Sequence, residues 1–78
     1  MRKRTFELRE AAPAADPMHV IFRDNWENSD PDMGFVHAMD IIHWDSAHGL
    51  CGERTVTVEA AREYWARLVA DGYTRVEA

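Results

Sequence analysis

One cysteine, Cys51, occurs among the 78 residues of this chain. A disulfide within the chain is therefore excluded as a source of stability. A single thiol is typical of proteins from a reducing compartment, so we expect a cytoplasmic location. A domain of this length has a small core, and without a disulfide we expect self-association to contribute to its stability.

Long apolar runs are also missing. The longest strongly apolar run is 20–22, which is far too short to cross a bilayer. Residues 2–4 are basic, as at the start of a signal peptide, but residues 5–10 carry three charges where an apolar stretch would have to follow. The sequence therefore predicts neither a membrane-spanning protein nor secretion by a signal peptide.

Basic residues are scarce, and the net charge is −5. The acidic residues are concentrated in the middle of the chain. Between residues 16 and 53, eight acidic residues stand against one basic residue, Arg23. Binding to phosphates needs clustered Lys and Arg, so we expect no direct contact with nucleic acid. The short basic cluster 2–4 is interpreted as a solvated chain end.

The stretch 57–71 has the clearest period in the chain and predicts an amphipathic C-terminal helix. Its apolar stripe consists of Val58, Ala61, Trp65, Leu68 and Val69. Thr57 is expected to cap the start, and Gly72 to supply a left-handed stop beyond which Tyr73 folds back onto the stripe. As the largest member of the stripe, Trp65 is expected to be the central core residue.

Alternation of apolar and polar residues predicts strands on both sides of this helix. The predicted strands are 5–10, 18–24, a short one at 54–58, and an edge strand at 73–77. Prolines make 11–17 an extended connection, and polar residues make 25–34 a loop. Residues 45–53, with two glycines, are expected to form a loop or a wide hairpin turn.

Residues 35–45 fit two patterns. As a helix, they would form a stripe of Phe35, Ala38, Met39 and Ile42 after an Asp-Pro start. We favour a strand, because β-branched and aromatic residues are frequent here and Gly34 would weaken a first helical turn. The prediction is one α+β domain spanning 1–78. It has a small antiparallel sheet of three to five strands, one face of which is covered by the helix at about 57–71, in the order β-β-β-(β)-α-β.

Potential metal ligands cluster in the pattern His43-x-Asp45-x-x-His48-x-x-Cys51. Imidazole, carboxylate and thiolate all bind transition metals such as zinc, and a short loop could bring these groups together. The spacing matches no standard zinc motif, so we favour ordinary surface histidines and a buried thiol as the explanation and keep a metal site as the alternative.

An enzyme is not expected. A nucleophile made of Cys51 with His43 or His48 would need a cleft, and we expect a chain this short to leave little room for a substrate pocket of about 300–1,000 Å³. The sequence contains no glycine-rich phosphate loop.

We therefore expect a small, acidic accessory module that acts through protein–protein contacts and self-associates as a homodimer. Its partner is another protein or itself, and its expected contact residues are Trp26, Phe35, Trp44 and Tyr73. One alternative is a metal-binding or metal-responsive protein that uses the loop ligands. Another is an acidic inhibitor that occupies a basic surface of a partner protein.

Overall fold

The structure, a computed structural model, describes residues 4–11, 17–27, 29 and 36–76. Five strands and one helix follow one another along the chain: β1 Thr5–Arg9, β2 His19–Asp24, β3 Ala38–Asp45, β4 Gly49–Thr57, α1 Val58–Ala70 and β5 Thr74–Val76. The strands form one sheet in the order β4-β3-β2-β1-β5, with every pair antiparallel. The predicted α+β class, with one C-terminal helix beside a sheet of up to five strands, is confirmed.

The ambiguous stretch is a strand in its described part, since β3 runs from Ala38 to Asp45. Phe35 lies outside the described residues. β3 pairs with β2 and β4, and Ile41 in its middle is completely buried. Two-sided pairing favours the β-branched and aromatic residues found there, and this outweighs the helix start signal that precedes the stretch.

The predicted loop or wide hairpin turn over 45–53 is a hairpin turn, but it is shorter than predicted, because only residues 46–48 form the turn and β4 already begins at Gly49. A side-chain hydrogen bond and a glycine with positive φ make the turn short. The Asp45 carboxylate accepts a hydrogen bond from the backbone N–H of His48, and Gly49 has a φ of +72°. Gly52 lies inside the strand, where it pairs with His43. The residue after Leu50 is unmatched on β3, so a β-bulge absorbs Cys51.

Both predicted ends of the helix are confirmed. The Thr57 side chain accepts a hydrogen bond from the N–H of Ala60 at 3.1 Å. Gly72, at φ +99°, donates to the carbonyl of Val69, and Tyr73 donates to the carbonyl of Leu68. This pair of bonds is the Schellman arrangement, and it returns the chain to the sheet as β5.

The core lies between α1 and one face of the sheet. It is formed by Leu8, Val20, Phe22, Met39, Ile41, Ala61 and Leu68. Trp65 is half-buried and is not the central core residue that the helix period predicted. Its ring packs edge-on against Phe6 and Phe22, with centroids 6.4 and 5.1 Å away, and part of it remains open to a groove. Within the described residues, no helix is both long and apolar enough to cross a membrane.

Two neighbouring residues of α1 test this placement of the core. Leu68 is 5% exposed and Val69 is 49% exposed, although the sequence placed both on the apolar stripe. We expect Leu68→Ala to lower the free energy of unfolding by about 2–5 kcal/mol, because it leaves a cavity, and Val69→Ala to change it by less than about 0.5 kcal/mol. Urea unfolding at pH 7 measures both. Equal losses for the two variants would contradict the position of the helix.

Candidate functional site

Three of the four predicted metal ligands come together at the turn between β3 and β4. The carboxylate of Asp45 lies 3.1 Å from Nδ1 of His48 and 3.5 Å from Sγ of Cys51. The fourth residue, His43, bonds instead to the hydroxyl of Tyr64 on the helix, at 2.9 Å. Among the described residues, no group of three or more His, Cys, Asp or Glu side chains is arranged to hold a metal ion. The cluster is explained as a turn closed by one carboxylate.

The surroundings of Cys51 do not favour a nucleophile. The residue is exposed, but partial burial of its sulfur, together with the hydrogen bond and charge of Asp45, raises the pKa of the thiol. The bond from the His48 backbone lowers the pKa of Asp45, so this neighbour is ionised at neutral pH. A thiol beside a carboxylate stays protonated and therefore reacts slowly.

His43 lies beneath the helix in a small cluster with Tyr64 and Arg54. The two rings have centroids 5.8 Å apart, and the Arg54 guanidinium lies 5.2 Å from the centroid of the Tyr64 ring. Burial, followed by the positive charge of Arg54, lowers the pKa of His43 below its usual 6.5. The imidazole is therefore neutral in the folded protein at pH 7.

This depressed pKa predicts a pH dependence of stability. Because the unfolded chain binds the His43 proton more readily, the stability contributed by His43 is complete above pH 6.5 and falls as the pH drops towards the folded-state pKa. We expect His43→Gln to reduce the slope of unfolding free energy against pH in this window, where one group contributes at most about 1.4 kcal/mol per pH unit. Urea unfolding between pH 7.5 and 5 measures the slope. His48→Gln is the control, and an unchanged slope in His43→Gln would contradict the assignment.

The face of the sheet opposite the helix carries a hydrogen-bonded network centred on Asp40. Its Oδ1 accepts bonds from Asn25 and Thr55, each at 2.7 Å, and its Oδ2 accepts one from Arg23 at 2.9 Å. Arg23 also donates to Glu53 at 3.2 Å. Burial acts to raise the pKa of Asp40, but the hydrogen bonds from Arg23, Thr55 and Asn25 outweigh it and hold the pKa below the usual 3.8. The network links β2, β3 and β4 across the uncovered face.

We expect Asp40→Asn to lower the free energy of unfolding by about 2–3 kcal/mol, because several donors lose a charged acceptor at a buried position. The matched control is Glu53→Gln, which removes the exposed partner of the same Arg23 and is expected to cost less than about 1 kcal/mol. Urea unfolding at pH 7 compares them. Similar losses would show that the Asp40 network contributes no more than a surface ion pair.

The predicted contact residues are distributed over different parts of the molecule. Trp44 lies on the uncovered face, half-buried and stacked on His19 with ring centroids 4.1 Å apart. Tyr73 is half-buried against the core on the opposite face, and burial, with the charge of Glu10 next, raises its pKa. Trp26 follows β2, and in the described part of the chain its indole N–H is buried without a hydrogen-bond partner. The structure does not bring these three side chains into one patch.

The outer edge of β4 offers backbone groups for pairing. Among the described strands, none pairs with this side of β4. The N–H of Val58 donates to the carbonyl of His37, which fixes the alternation of the ladder between β3 and β4. It follows that Glu53, Thr55 and Thr57 direct their N–H and C=O groups outwards. Leu50, at the start of this strand, is the most exposed large apolar side chain in the described chain, at 65%.

A groove with a volume of about 610 Å³ lies between α1 and the sheet. Its lining is mainly apolar and aromatic, and it includes three arginines, which come from the chain before β1, from α1 and from β5. The lining residues are Arg4, Phe6, Phe22, Val36, Met39, Val58, Ala61, Arg62, Trp65 and Arg75. The expectation that a chain this short leaves little room for such a pocket is wrong. A single helix does not fill the whole face of the sheet, and the uncovered remainder is this groove.

Sequence reasoning missed the groove because its residues are scattered along the chain. Arg4 belonged to a cluster interpreted as a solvated end, yet its Nε lies 2.8 Å from the buried carboxylate of Asp24. Arg62 falls on the face of the helix that the period assigned to solvent. No local motif connects these residues, and only the pairing of β1 with β2 and β5 brings them together.

Comparison of the chain with protein-family models, with curated proteins and with solved structures finds no match.

Proposed function

We propose that this protein is an interaction module that self-associates by pairing the outer edge of β4 with the same edge of a second copy. The observation that supports the proposal is the length and exposure of this edge. β4 has nine residues, whereas β5, at the other edge of the sheet, has three. An exposed edge strand presents a row of backbone donors and acceptors that another strand can satisfy.

The edge also lacks most of the features that commonly prevent pairing. From Glu53 to Thr57 the strand contains no proline and no lysine, and the bulge lies before this segment, at Cys51. The two charged side chains, of Glu53 and Arg54, alternate between the two faces of the sheet. The segment is therefore suited to regular antiparallel pairing.

A two-fold axis perpendicular to the sheet at Thr55 gives a pairing without direct charge repulsion. Thr55 then faces its own copy, Arg54 faces Val56, and Glu53 faces Thr57. Thr55, Glu53 and Thr57 are the residues that direct their backbone groups outwards. The Thr55 pair and each Glu53–Thr57 pair can therefore exchange two N–H···O=C bonds. Facing threonines are favourable across antiparallel strands. The same geometry about Arg54 or Glu53 would place like charges opposite each other.

The small core provides a reason for association. Buried polar side chains, including Asp24, Asn25, Asp40 and Asp45, occupy positions beside the buried apolar ones. Domains with limited apolar burial commonly gain stability from oligomers. We place the module in the cytoplasm, because Cys51 is an exposed free thiol, which suits a reducing compartment.

The two alternatives are supported less well. A metal-responsive protein would need the loop ligands free to bind, and Asp45 is already engaged by His48 and Cys51. An acidic inhibitor would need its carboxylates at the surface, and Asp24, Asp40 and Asp45 are buried. Pairing through an edge strand depends on neither group.

The experiment compares two substitutions at the proposed axis. Thr55→Pro removes an outward N–H without touching the donors that face β3, and Thr55→Val keeps that N–H while removing the same hydroxyl bond to Asp40. Sedimentation equilibrium at micromolar concentrations is expected to give twice the 9.0 kDa chain mass for wild type and Thr55→Val, and the single-chain mass for Thr55→Pro.

Circular dichroism establishes that each variant is folded before its mass is compared. A wild-type mass near 9.0 kDa at every concentration tested would rule out the homodimer. A folded Thr55→Pro protein that remains dimeric would exclude the β4 edge as the interface.

A further inference from the structure

The groove between α1 and the sheet combines an apolar floor with an unusual concentration of positive charge. The chain carries nine Lys and Arg residues against fourteen Asp and Glu residues. Three of these nine, Arg4, Arg62 and Arg75, nevertheless line one groove. Arginine suits the recognition of carboxylates, because its planar guanidinium can donate two parallel hydrogen bonds to one carboxylate.

Two of these arginines have no carboxylate partner within the described residues. Arg4 forms an ion pair with Asp24. Within the described residues, neither Arg62 nor Arg75 forms an ion pair with a carboxylate. Arg75 instead lies 5.9 Å from the centroid of the Phe6 ring, and Arg4 lies 5.8 Å from the same centroid. Cationic groups gathered beside one apolar surface repel one another, and an anion bound there would relieve this repulsion.

The floor of the groove can hold an apolar body. Phe6, Phe22 and Trp65 contribute rings that meet edge-on, and Met39 and Val58 add aliphatic surface. The half-buried Trp65 leaves part of its ring available to a ligand. Apolar walls with a few placed polar groups are the usual composition of small-molecule sites.

We propose that this groove binds a small amphipathic carboxylate, with its apolar body on Phe6, Phe22 and Trp65 and its carboxylate at Arg62 and Arg75. The volume of about 610 Å³ lies within the range of small-molecule pockets, roughly 300–1,000 Å³. That size favours a small molecule over a peptide helix, which would need an extended trough. Among the described residues that line the groove, none belongs to β4, so this proposal is independent of the proposed dimer.

The test uses three ligands that share one apolar body: 4-phenylbutyrate, 4-phenylbutanol and 4-phenylbutylamine. Calorimetric titration of the full chain is expected to show saturable binding of the carboxylate at one site. We expect the alcohol to bind about tenfold more weakly, since it loses the charge-assisted hydrogen bonds, and the amine to show no saturable binding. Proton–nitrogen correlation spectra should show the carboxylate shifting the indole N–H signal of Trp65.

Arg62→Gln and Arg75→Gln are each expected to weaken 4-phenylbutyrate binding by roughly five- to tenfold, because each removes one charged donor. The control is Arg67→Gln, which removes the same charge from an exposed position on the same helix outside the groove and is expected to leave the affinity unchanged. All three residues are exposed, and thermal melting verifies that each variant folds.

Three results would overturn the proposal. The first is the absence of saturable binding of 4-phenylbutyrate up to millimolar concentration. This result would also be found if the groove bound only peptides, and it would overturn the proposal in that case as well. The second is equal affinity for the carboxylate and the alcohol. The third is a loss in Arg67→Gln as large as that in the groove variants, which would indicate only a response to overall charge.

Discussion

A helix of 13 residues has to cover one face of a five-stranded sheet, and most features of this molecule depend on that mismatch. At about 1.5 Å per residue the helix is roughly 20 Å long, and nine residues of β4 alone extend roughly 30 Å. The helix therefore covers only part of one sheet face, with Ala61 and Leu68 buried beneath it, and leaves a groove beside Trp65. It also leaves the second face and both sheet edges to be stabilised by other means.

The uncovered face carries a hydrogen-bonded network centred on Asp40. A carboxylate at Asp40 would be costly in a partly buried position, but donors on β2 and β4 satisfy both of its oxygens. The network also fixes strand register, because a one-residue slip of β3 would move Asp40 to the opposite, helix-covered face. The open face consequently remains polar enough to meet water, and the sheet edges remain available for association.

Sequence reasoning recovered what depends on period and local chemistry, namely the class, the single helix with its Thr57 cap and its Gly72 stop, and the strand character of β3. It failed where a contact between distant segments decides the outcome. The glycines after Asp45 suggested a loop or a wide hairpin turn, because the carboxylate that closes the short turn is evident only when His48 folds back onto it. Trp65 was placed at the centre by its size, although the position of a helix over the sheet determines which residues of a stripe are fully buried.

The distribution of charge shows why a net value says little about a site. The acidic middle of the sequence suggested an acidic surface, yet its Asp24, Asp40 and Asp45 are buried and engaged by hydrogen bonds. Arginines from distant segments meanwhile converge on one apolar groove. Folding thus buries three of these carboxylates and brings three of the nine basic residues to one groove. A chain with a net charge of −5 can therefore present a local site suited to an anion.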